Sequence, residues 1–206
     1  MDEFEMNYDG WDSIHRERSK AIAKDLLKRM PMNPGMIALD YGAGTGILSA
    51  LLSDKFSEIT LMDIDPEMIE TIKEIASKYN LKNFHPVLFD LGQSPYQTKT
   101  FDCIFTQMVL HHIPNTELLL NRFYELLNPG GHLAIADLYS EDGSFHGKGF
   151  TGHNGFDVKI LKQELERIGF VDITSEQCFT MSRTQNGVVR EYPIFLLIAT
   201  KRNVSK

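Results

Sequence analysis

The feature that most restricts the fold of this chain is an alternation of short apolar runs with segments of helical periodicity. Residues 36–40 form a short apolar run that predicts a buried strand, and 47–52 fit a helix. The order then repeats, with strands predicted at 59–63, 84–89, 101–106 and 133–136 and helices at about 65–79, 115–127 and 157–168. Such alternation is typical of an α/β protein whose mainly parallel sheet carries helices on both faces.

The two ends of the chain complete this pattern. A helix is predicted over 13–30, and strands near 171–181 and 192–200, separated by polar residues, predict a hairpin with one antiparallel strand. At 206 residues the chain fits a single domain, 1–206, in which 1–35 is an amino-terminal helical segment and possible lid. Its aromatic Tyr8 and Trp11 either close over a ligand or only anchor the helix. The glycine-rich loop 139–156 is longer than most connections, which is typical of lids and binding loops.

Composition and charge exclude several classes of protein. Hydrophobic residues at 42% and charged residues at 24% are ordinary values for a folded globular chain. The net charge of -7 repels a phosphate backbone, so we expect no DNA partner. The amino terminus is acidic and the longest apolar run, 194–199, is far short of the roughly 20 residues of a bilayer span. We therefore expect a cytoplasmic protein without membrane insertion, and free core thiols at Cys103 and Cys178. The sequence does not indicate an oligomeric state.

A glycine turn follows the first predicted strand, with the sequence Asp40-Tyr41-Gly42-Ala43-Gly44-Thr45-Gly46. Glycines there permit backbone conformations and a close ligand approach that side chains would prevent. The G-x-G-x-G spacing differs from the dinucleotide pattern G-x-G-x-x-G, because Ile47 stands where the third glycine belongs. The carboxylate of Asp40 would repel a pyrophosphate but attract an ammonium group. An NAD(P)-dependent Rossmann oxidoreductase is therefore an alternative that these residues oppose.

Polar residues also end the other predicted strands, at Asp63, Asp90, Gln107 and Asp137. Ligands of doubly wound sheets bind beyond the carboxyl ends of the strands. Asp63 follows Gly46 by 17 residues, which suits an acceptor for ribose hydroxyls, and Asp65 is already available to cap the next helix. Asp90 either meets an adenine amino group or only stabilises a turn, and the residues leave both open. The predicted ligand is a nucleoside without phosphate.

These residues resemble the motifs of the class I S-adenosylmethionine-dependent methyltransferases. The resemblance covers 37–137 and rests on 40–46 as a first motif, 62–68 as a second, Asp90-Leu91, 101–105 followed by 109–114, and 127–133. The Leu110-His111-His112-Ile113 segment is similar to that of the ubiquinone and menaquinone biosynthesis subgroup and its small-molecule relatives. The resemblance implies a Rossmann-like sheet of seven strands in the order 3-2-1-4-5-7-6, with strand 7 antiparallel.

The resemblance also implies S-adenosylmethionine as cofactor and a small molecule as methyl acceptor, with transfer by in-line displacement. Asp40 and the backbone of Gly42 and Gly44 would hold the methionine part, and Asp63 the ribose. The remaining cofactor residues would be Asp90 and Leu91 at the adenine, Gln107 near the sulfonium, and Tyr41, Ala43 and Ile64 beside them. A non-catalytic S-adenosylmethionine-binding module remains an alternative, because the motifs do not include the acceptor residues.

Histidines supply the candidate catalytic groups, because their pKa suits a general base near neutral pH. The candidates are His111, after the fourth strand, and His146 and His153, in the glycine-rich loop. Alternatively, His111 or its neighbour His112 packs at the start of the next helix, and the loop histidines are solvated. No histidine pair beyond the adjacent His111 and His112 approaches a zinc-type spacing, and neighbouring residues do not readily chelate one ion, so we expect no metal.

Overall fold

The computed structural model describes residues 13–185 and 187–203. Tyr8 and Trp11 of the predicted lid lie outside this part of the chain. In chain order the elements are α1 Ser13–Arg29, β1 Ile37–Tyr41, α2 Ile47–Leu51, β2 Glu58–Asp63, α3 Pro66–Lys78, β3 Phe84–Leu88, β4 Phe101–Gln107, α4 Thr116–Leu126, β5 Leu127–Leu138, α5 Val158–Ile168, β6 Phe170–Gln185 and β7 Val188–Lys201. Short 3₁₀ turns lie at Ser53–Lys55 and Leu110–His112.

The strands form one sheet in the order β3-β2-β1-β4-β5-β7-β6. The pairs from β3 through β5 are parallel, and β7 pairs antiparallel with both β5 and β6. This confirms the predicted Rossmann-like fold. The strand order reverses between β1 and β4, so the carboxyl ends of these two neighbours form the crevice where ligands bind in this architecture.

Side-chain caps begin the helices at the predicted positions. The Asp65 carboxylate accepts a hydrogen bond from the Glu67 N–H at 2.8 Å, and Pro66 occupies the first turn of α3. Asn115 caps α4 through the Leu118 N–H at 3.0 Å, and Asp157 caps α5. These caps satisfy N–H groups that have no partner within a helix.

Two hydrophobic clusters cover the two faces of the sheet. One packs α1, α2 and α3 against the sheet through residues such as Leu26, Leu48 and Ile72. The other packs α4 and α5 against the opposite face through residues such as Phe123 and Leu165. Strands buried from both sides need apolar residues on both faces, which explains their continuous apolar runs. None of the described helices is long and apolar enough to cross a membrane.

The hairpin and the fifth strand differ from the prediction. The polar segment 182–190 is not a connecting loop, because β6 and β7 stay paired as far as Gln185 and Val188. Strands pair through backbone hydrogen bonds, which do not require apolar side chains. A solvent-exposed pair of strands can therefore continue through polar residues that the sequence pattern assigns to a loop. β5 begins at Leu127, and a register shift between Phe101 and Cys103 accommodates the Pro-Gly-Gly segment that was predicted to precede the strand.

Candidate functional site

A cleft of about 270 Å³ opens at the carboxyl ends of β1 and β4. Its lining comes from the glycine turn, the end of β4, the 3₁₀ turn after it, the glycine-rich loop, α1 and β6. The lining residues are His15, Arg18, Gly42, Ala43, Gly44, Ile47, Gln107, Met108, Val109, His111, His112, Phe145, His146 and Arg183. The fold therefore brings predicted cofactor residues and two predicted catalytic histidines into one cavity.

The glycine turn is packed tightly on one side and open on the other. Its glycines Gly42, Gly44 and Gly46 have φ of +68°, +55° and +77°, a region that favours glycine. A Cβ on Gly42 would lie 2.3 Å from Cγ2 of Val109. A Cβ on Gly44 would meet no heavy atom within 4 Å. The turn thus leaves its open backbone beside Gly44 accessible to a ligand.

Asp40 ends in a buried carboxylate that is only half satisfied. Its side chain is 1% exposed, and Oδ2 accepts a hydrogen bond from Oγ of Ser49 at 2.6 Å. Oδ1 is buried and has no hydrogen-bond partner among the described residues. Burial raises the pKa of Asp40 to about 7, the Ser49 bond lowers it, and the charge of Asp63 raises it further. The arrangement suits a positively charged donor on the ligand.

Asp63 ties the glycine turn to the end of β2. Its Oδ2 accepts a hydrogen bond from the Gly44 N–H at 2.8 Å, and its Oδ1 accepts one from the Asp65 N–H at 3.0 Å. The backbone N–H groups of Gly42 and Ala43 both donate to the Met62 carbonyl, at 2.8 and 3.1 Å. The first two predicted motifs are therefore joined by direct hydrogen bonds.

The other predicted cofactor residues have mixed surroundings. Ile64 lies beside Asp63 with 64% of its surface exposed, unusual for an isoleucine next to a sheet end. Asp90 accepts the Gly92 N–H at 2.6 Å, which is the turn role that the sequence left open. Leu91 is fully buried, and Tyr41 is buried with its ring edge against Phe123. A direct adenine contact by Asp90 or Leu91 stays a prediction.

His111 lines the cleft and is paired with the buried Asp137 behind it. Nδ1 of His111 lies 2.6 Å from Oδ1 of Asp137, and its backbone N–H donates to Oδ2 at 3.2 Å. The two side chains are 1% and 0% exposed. In the tautomer whose Nδ1–H donates to the carboxylate, Nε2 of the neutral imidazole keeps a free lone pair. Nε2 is buried and has no partner in the described part of the chain.

Sequence reasoning placed Asp137 at a strand end but gave it no role. His111 and Asp137 are separated by 26 positions in the sequence, and they meet because β4 and β5 are parallel neighbours. His111 follows the end of β4 and Asp137 lies at the end of the adjacent β5, so the strand order contained the signal. The order itself was only implied by resemblance.

Two polar residues of α1 were also missed. Ser19 is fully buried, and its Oγ donates to Oε1 of Gln107 at 3.1 Å. Arg18 is 7% exposed and lines the cleft. Arg18 precedes Ile22 by four positions and Leu26 by eight, so the helical period puts it on the buried face. The charged Arg18 on the otherwise apolar face of α1 was therefore the signal in the sequence that could have identified it.

Three imidazoles converge in the cleft, contrary to the expectation from their spacing. Candidate ligand atoms of His111, His112 and His146 lie within 4.8 Å of one another, because the 3₁₀ turn and the glycine-rich loop meet. Burial and the neighbouring histidines lower the pKa of His146 to about 4. The guanidiniums of Arg18 and Arg183 line the same cleft and raise the electrostatic cost of a divalent cation there.

His153 has surroundings unlike those of the other two candidates. Its Nε2 lies 2.9 Å from the carbonyl oxygen of Ile113, and its backbone N–H donates to the His111 carbonyl at 2.7 Å. It is outside the residues that line the cleft. These contacts favour a structural role, in which His153 fastens the glycine-rich loop to the 3₁₀ turn.

Comparison with known proteins identifies the family. A family described as a methyltransferase domain matches residues 14–184. The chain belongs to this methyltransferase family. An uncharacterized methyltransferase of Schizosaccharomyces pombe is 30% identical over 139 residues, which cover 59% of the chain and 49% of that protein. A demethylmenaquinone methyltransferase of Oceanobacillus iheyensis is 28% identical over 141 residues, covering 65% and 59%.

A solved structure shares the fold of this methyltransferase domain. Phosphoethanolamine N-methyltransferase 2 of Haemonchus contortus, in complex with S-adenosyl-L-methionine, superposes with a TM-score of 0.72 at 19% identity, covering 88% of this chain and 52% of that one. The chain spans about half to three fifths of the length of the curated relatives named above. The predicted family is confirmed, and an NAD(P)-dependent oxidoreductase is not favoured. The narrower likeness to the ubiquinone and menaquinone subgroup stays a prediction.

Proposed function

We propose that this methyltransferase domain transfers a methyl group from S-adenosylmethionine to a small-molecule acceptor. The observation that carries the proposal is a cleft lined both by the glycine turn that follows the buried Asp40 and by His111, which is bonded to Asp137. The free thiols of Cys103 and Cys178 support a cytoplasmic location.

The cofactor would be held by the residues around the glycine turn. Oδ1 of Asp40, buried without a partner, fits the α-ammonium group of the methionine part. The open side of Gly44 admits the ligand against the backbone, and Asp63 lies at the adjacent strand end to meet the ribose hydroxyls. The exposed side chain of Ile64 offers an apolar surface for the adenine. When bound, S-adenosylmethionine supplies an electrophilic methyl group on a positively charged sulfur.

The His111–Asp137 pair would act as the general base toward the acceptor. Nε2 of His111 takes the proton from an acceptor hydroxyl or ammonium group, and the buried Asp137 carboxylate stabilises the imidazolium that forms. Gln107, held by Ser19, would position the reacting groups at the end of β4. The main contribution of the cleft is alignment of acceptor and methyl group with exclusion of water.

Release of S-adenosylhomocysteine across a metabolite panel tests the activity. We expect His111→Gln to lower kcat by about 10²- to 10⁴-fold, the usual contribution of a general base. Calorimetric affinity for S-adenosylhomocysteine should change less than about twofold, because His111 faces the acceptor. Saturation by NADH together with no uptake of S-adenosylhomocysteine would refute the proposal.

A non-catalytic binding module gives a different outcome. Such a protein would take up S-adenosylhomocysteine normally but release none from any acceptor of the panel. Asp137→Asn serves as the matched variant, since it keeps the side-chain shape while removing the negative charge that stabilises the imidazolium. It should reduce turnover and leave cofactor affinity unchanged.

A further inference from the structure

Arg18 is a buried cation without an anionic partner. Its side chain extends from α1 into the cleft and is 7% exposed. Its one side-chain hydrogen bond in the described part of the chain is from Nη1 to Sδ of Met181 at 3.8 Å, a weak acceptor. Nε is buried and has no partner among the described residues. A guanidinium in this position loses hydration without recovering it from the protein.

Arg183 brings a second guanidinium to the same cleft. It comes from β6 and is half-buried, stacked 3.7 Å from the ring centroid of Phe145. Its Nη1 donates to the Phe145 carbonyl at 2.6 Å, which fixes the position of the group. Burial and the charge of Arg183 both lower the pKa of Arg18, with burial the larger cause, to about 10. Two like charges thus share one cavity.

The carboxylate that interacts electrostatically with Arg18 already accepts several hydrogen bonds. Asp137 attracts Arg18, but its Oδ1 is bonded to Nδ1 of His111 and to the Leu138 N–H at 2.7 Å, and its Oδ2 accepts the His111 N–H. No ion pair within residues 13–185 and 187–203 includes Arg18 or Arg183. The chain as a whole has a net charge of -7, so the positive charge in this cleft is opposite in sign to the net charge of the protein.

The site therefore combines groups of opposite charge. Asp40 and Asp63 lie at the strand ends beside the glycine turn, whereas the guanidiniums of Arg18 and Arg183 line the cleft itself. The cationic groups of the cofactor suit the carboxylates, and an anion suits the guanidiniums. Guanidinium forks donate up to five N–H groups in a plane, which matches carboxylate and phosphate oxygens.

We propose that the methyl acceptor carries an anionic group, a carboxylate or a phosphate, that binds between the guanidiniums of Arg18 and Arg183. This inference rests on the proposed function, because it assigns the acceptor side of the same cleft. It makes these arginines specificity residues, because an acceptor without an anionic group would leave the buried guanidinium of Arg18 without an anion. The anion would anchor the acceptor with its nucleophile toward His111.

Anion titrations into protein saturated with S-adenosylhomocysteine test the inference. The probes are malonate for a carboxylate and inorganic phosphate, each followed by calorimetry at low ionic strength. We expect at least one of them to saturate the wild type, and Arg18→Gln or Arg183→Gln to weaken that binding by about tenfold or more, the loss typical of a charge-assisted hydrogen bond. Arg18→Lys keeps the charge and should retain part of the affinity.

Arg167→Gln is the matched control, since Arg167 is exposed on α5 and is not one of the residues that line the cleft. It should bind the anion as the wild type does. Arg183→Gln is the decisive variant if Arg18→Gln fails to fold, because Arg183 is half-buried. Preference for malonate or phosphate assigns the chemical source of the anion.

Other results overturn the inference and separate it from the proposed function. Absence of saturation by both anions, or equal affinity in wild type and Arg183→Gln, removes the anion site while leaving cofactor binding intact. A tenfold loss of S-adenosylhomocysteine affinity in Arg18→Gln would instead assign that guanidinium to the methionine carboxylate. Failure of the wild type to bind S-adenosylhomocysteine contradicts the proposed function itself.

Discussion

Protonation of Asp40 should control cofactor affinity below neutral pH. Burial raises the pKa of this carboxyl to about 7 in the free protein, so near pH 6 only roughly a tenth of the molecules carry its charge. An ammonium group placed at Oδ1 binds the ionised form and lowers that pKa in the complex. Affinity therefore rises with pH and levels off above about 7.

The expected change in cofactor affinity follows from the pKa of Asp40. Between about pH 5.5 and about pH 7.5 the ionised fraction increases roughly 25-fold, so the dissociation constant of S-adenosylhomocysteine should fall about 25-fold, or about 1.9 kcal/mol. Asp40→Asn is neutral throughout this range and still offers Ser49 an amide oxygen. It should bind weakly at every pH, with a flat profile.

Isothermal calorimetry of S-adenosylhomocysteine across this pH range measures the effect. Asp54→Asn is the control, because Asp54 is an exposed acid paired with Lys55 and should reproduce the wild-type profile. A wild-type constant that changes less than about twofold would contradict the assigned contact. The same slope in Asp40→Asn would show that another group, such as His112, is responsible.

Three further expectations concern the glycine turn, the ribose contact and the histidine cluster. Asp63→Ala should weaken S-adenosylhomocysteine binding by about 1 to 3 kcal/mol, because ribose hydroxyls and the Gly44 N–H lose their acceptor; unchanged calorimetric affinity would disprove the assignment. Gly42→Ala should lower the free energy of unfolding by about 2 kcal/mol more than Gly147→Ala. Both glycines have a positive φ, but a Cβ on Gly147 would meet no heavy atom within 4 Å, whereas one on Gly42 would overlap Val109. Equal losses in urea titrations would contradict the packing argument. Chelation should leave S-adenosylhomocysteine release unchanged, since two arginines disfavour a cation beside His111, His112 and His146; activity lost to chelator and restored by zinc would reverse this expectation.

Short sequence segments were sufficient to predict the helices and strands and the candidate cofactor residues. The caps at Asp65, Asn115 and Asp157 and the glycine turn depend on residues within a few positions of one another, so their signals are contained in short segments. The class I methyltransferase resemblance rests on the same short segments. The full length of β6 and β7 was not predicted, because backbone hydrogen bonds can pair strands whose side chains are polar.

The acceptor side depends on contacts between distant parts of the chain. His111 meets Asp137 only because β4 and β5 are neighbours, and Arg18 approaches Arg183 only because α1 packs beside β6. His146 joins them through the glycine-rich loop, while His153 is turned to a backbone carbonyl instead. The sequence by itself determined the strand and helix order and the glycine turn, since these follow from neighbouring residues. Only the tertiary structure decided which charges share the cleft, because electrostatic interaction and desolvation depend on distance in space rather than along the chain.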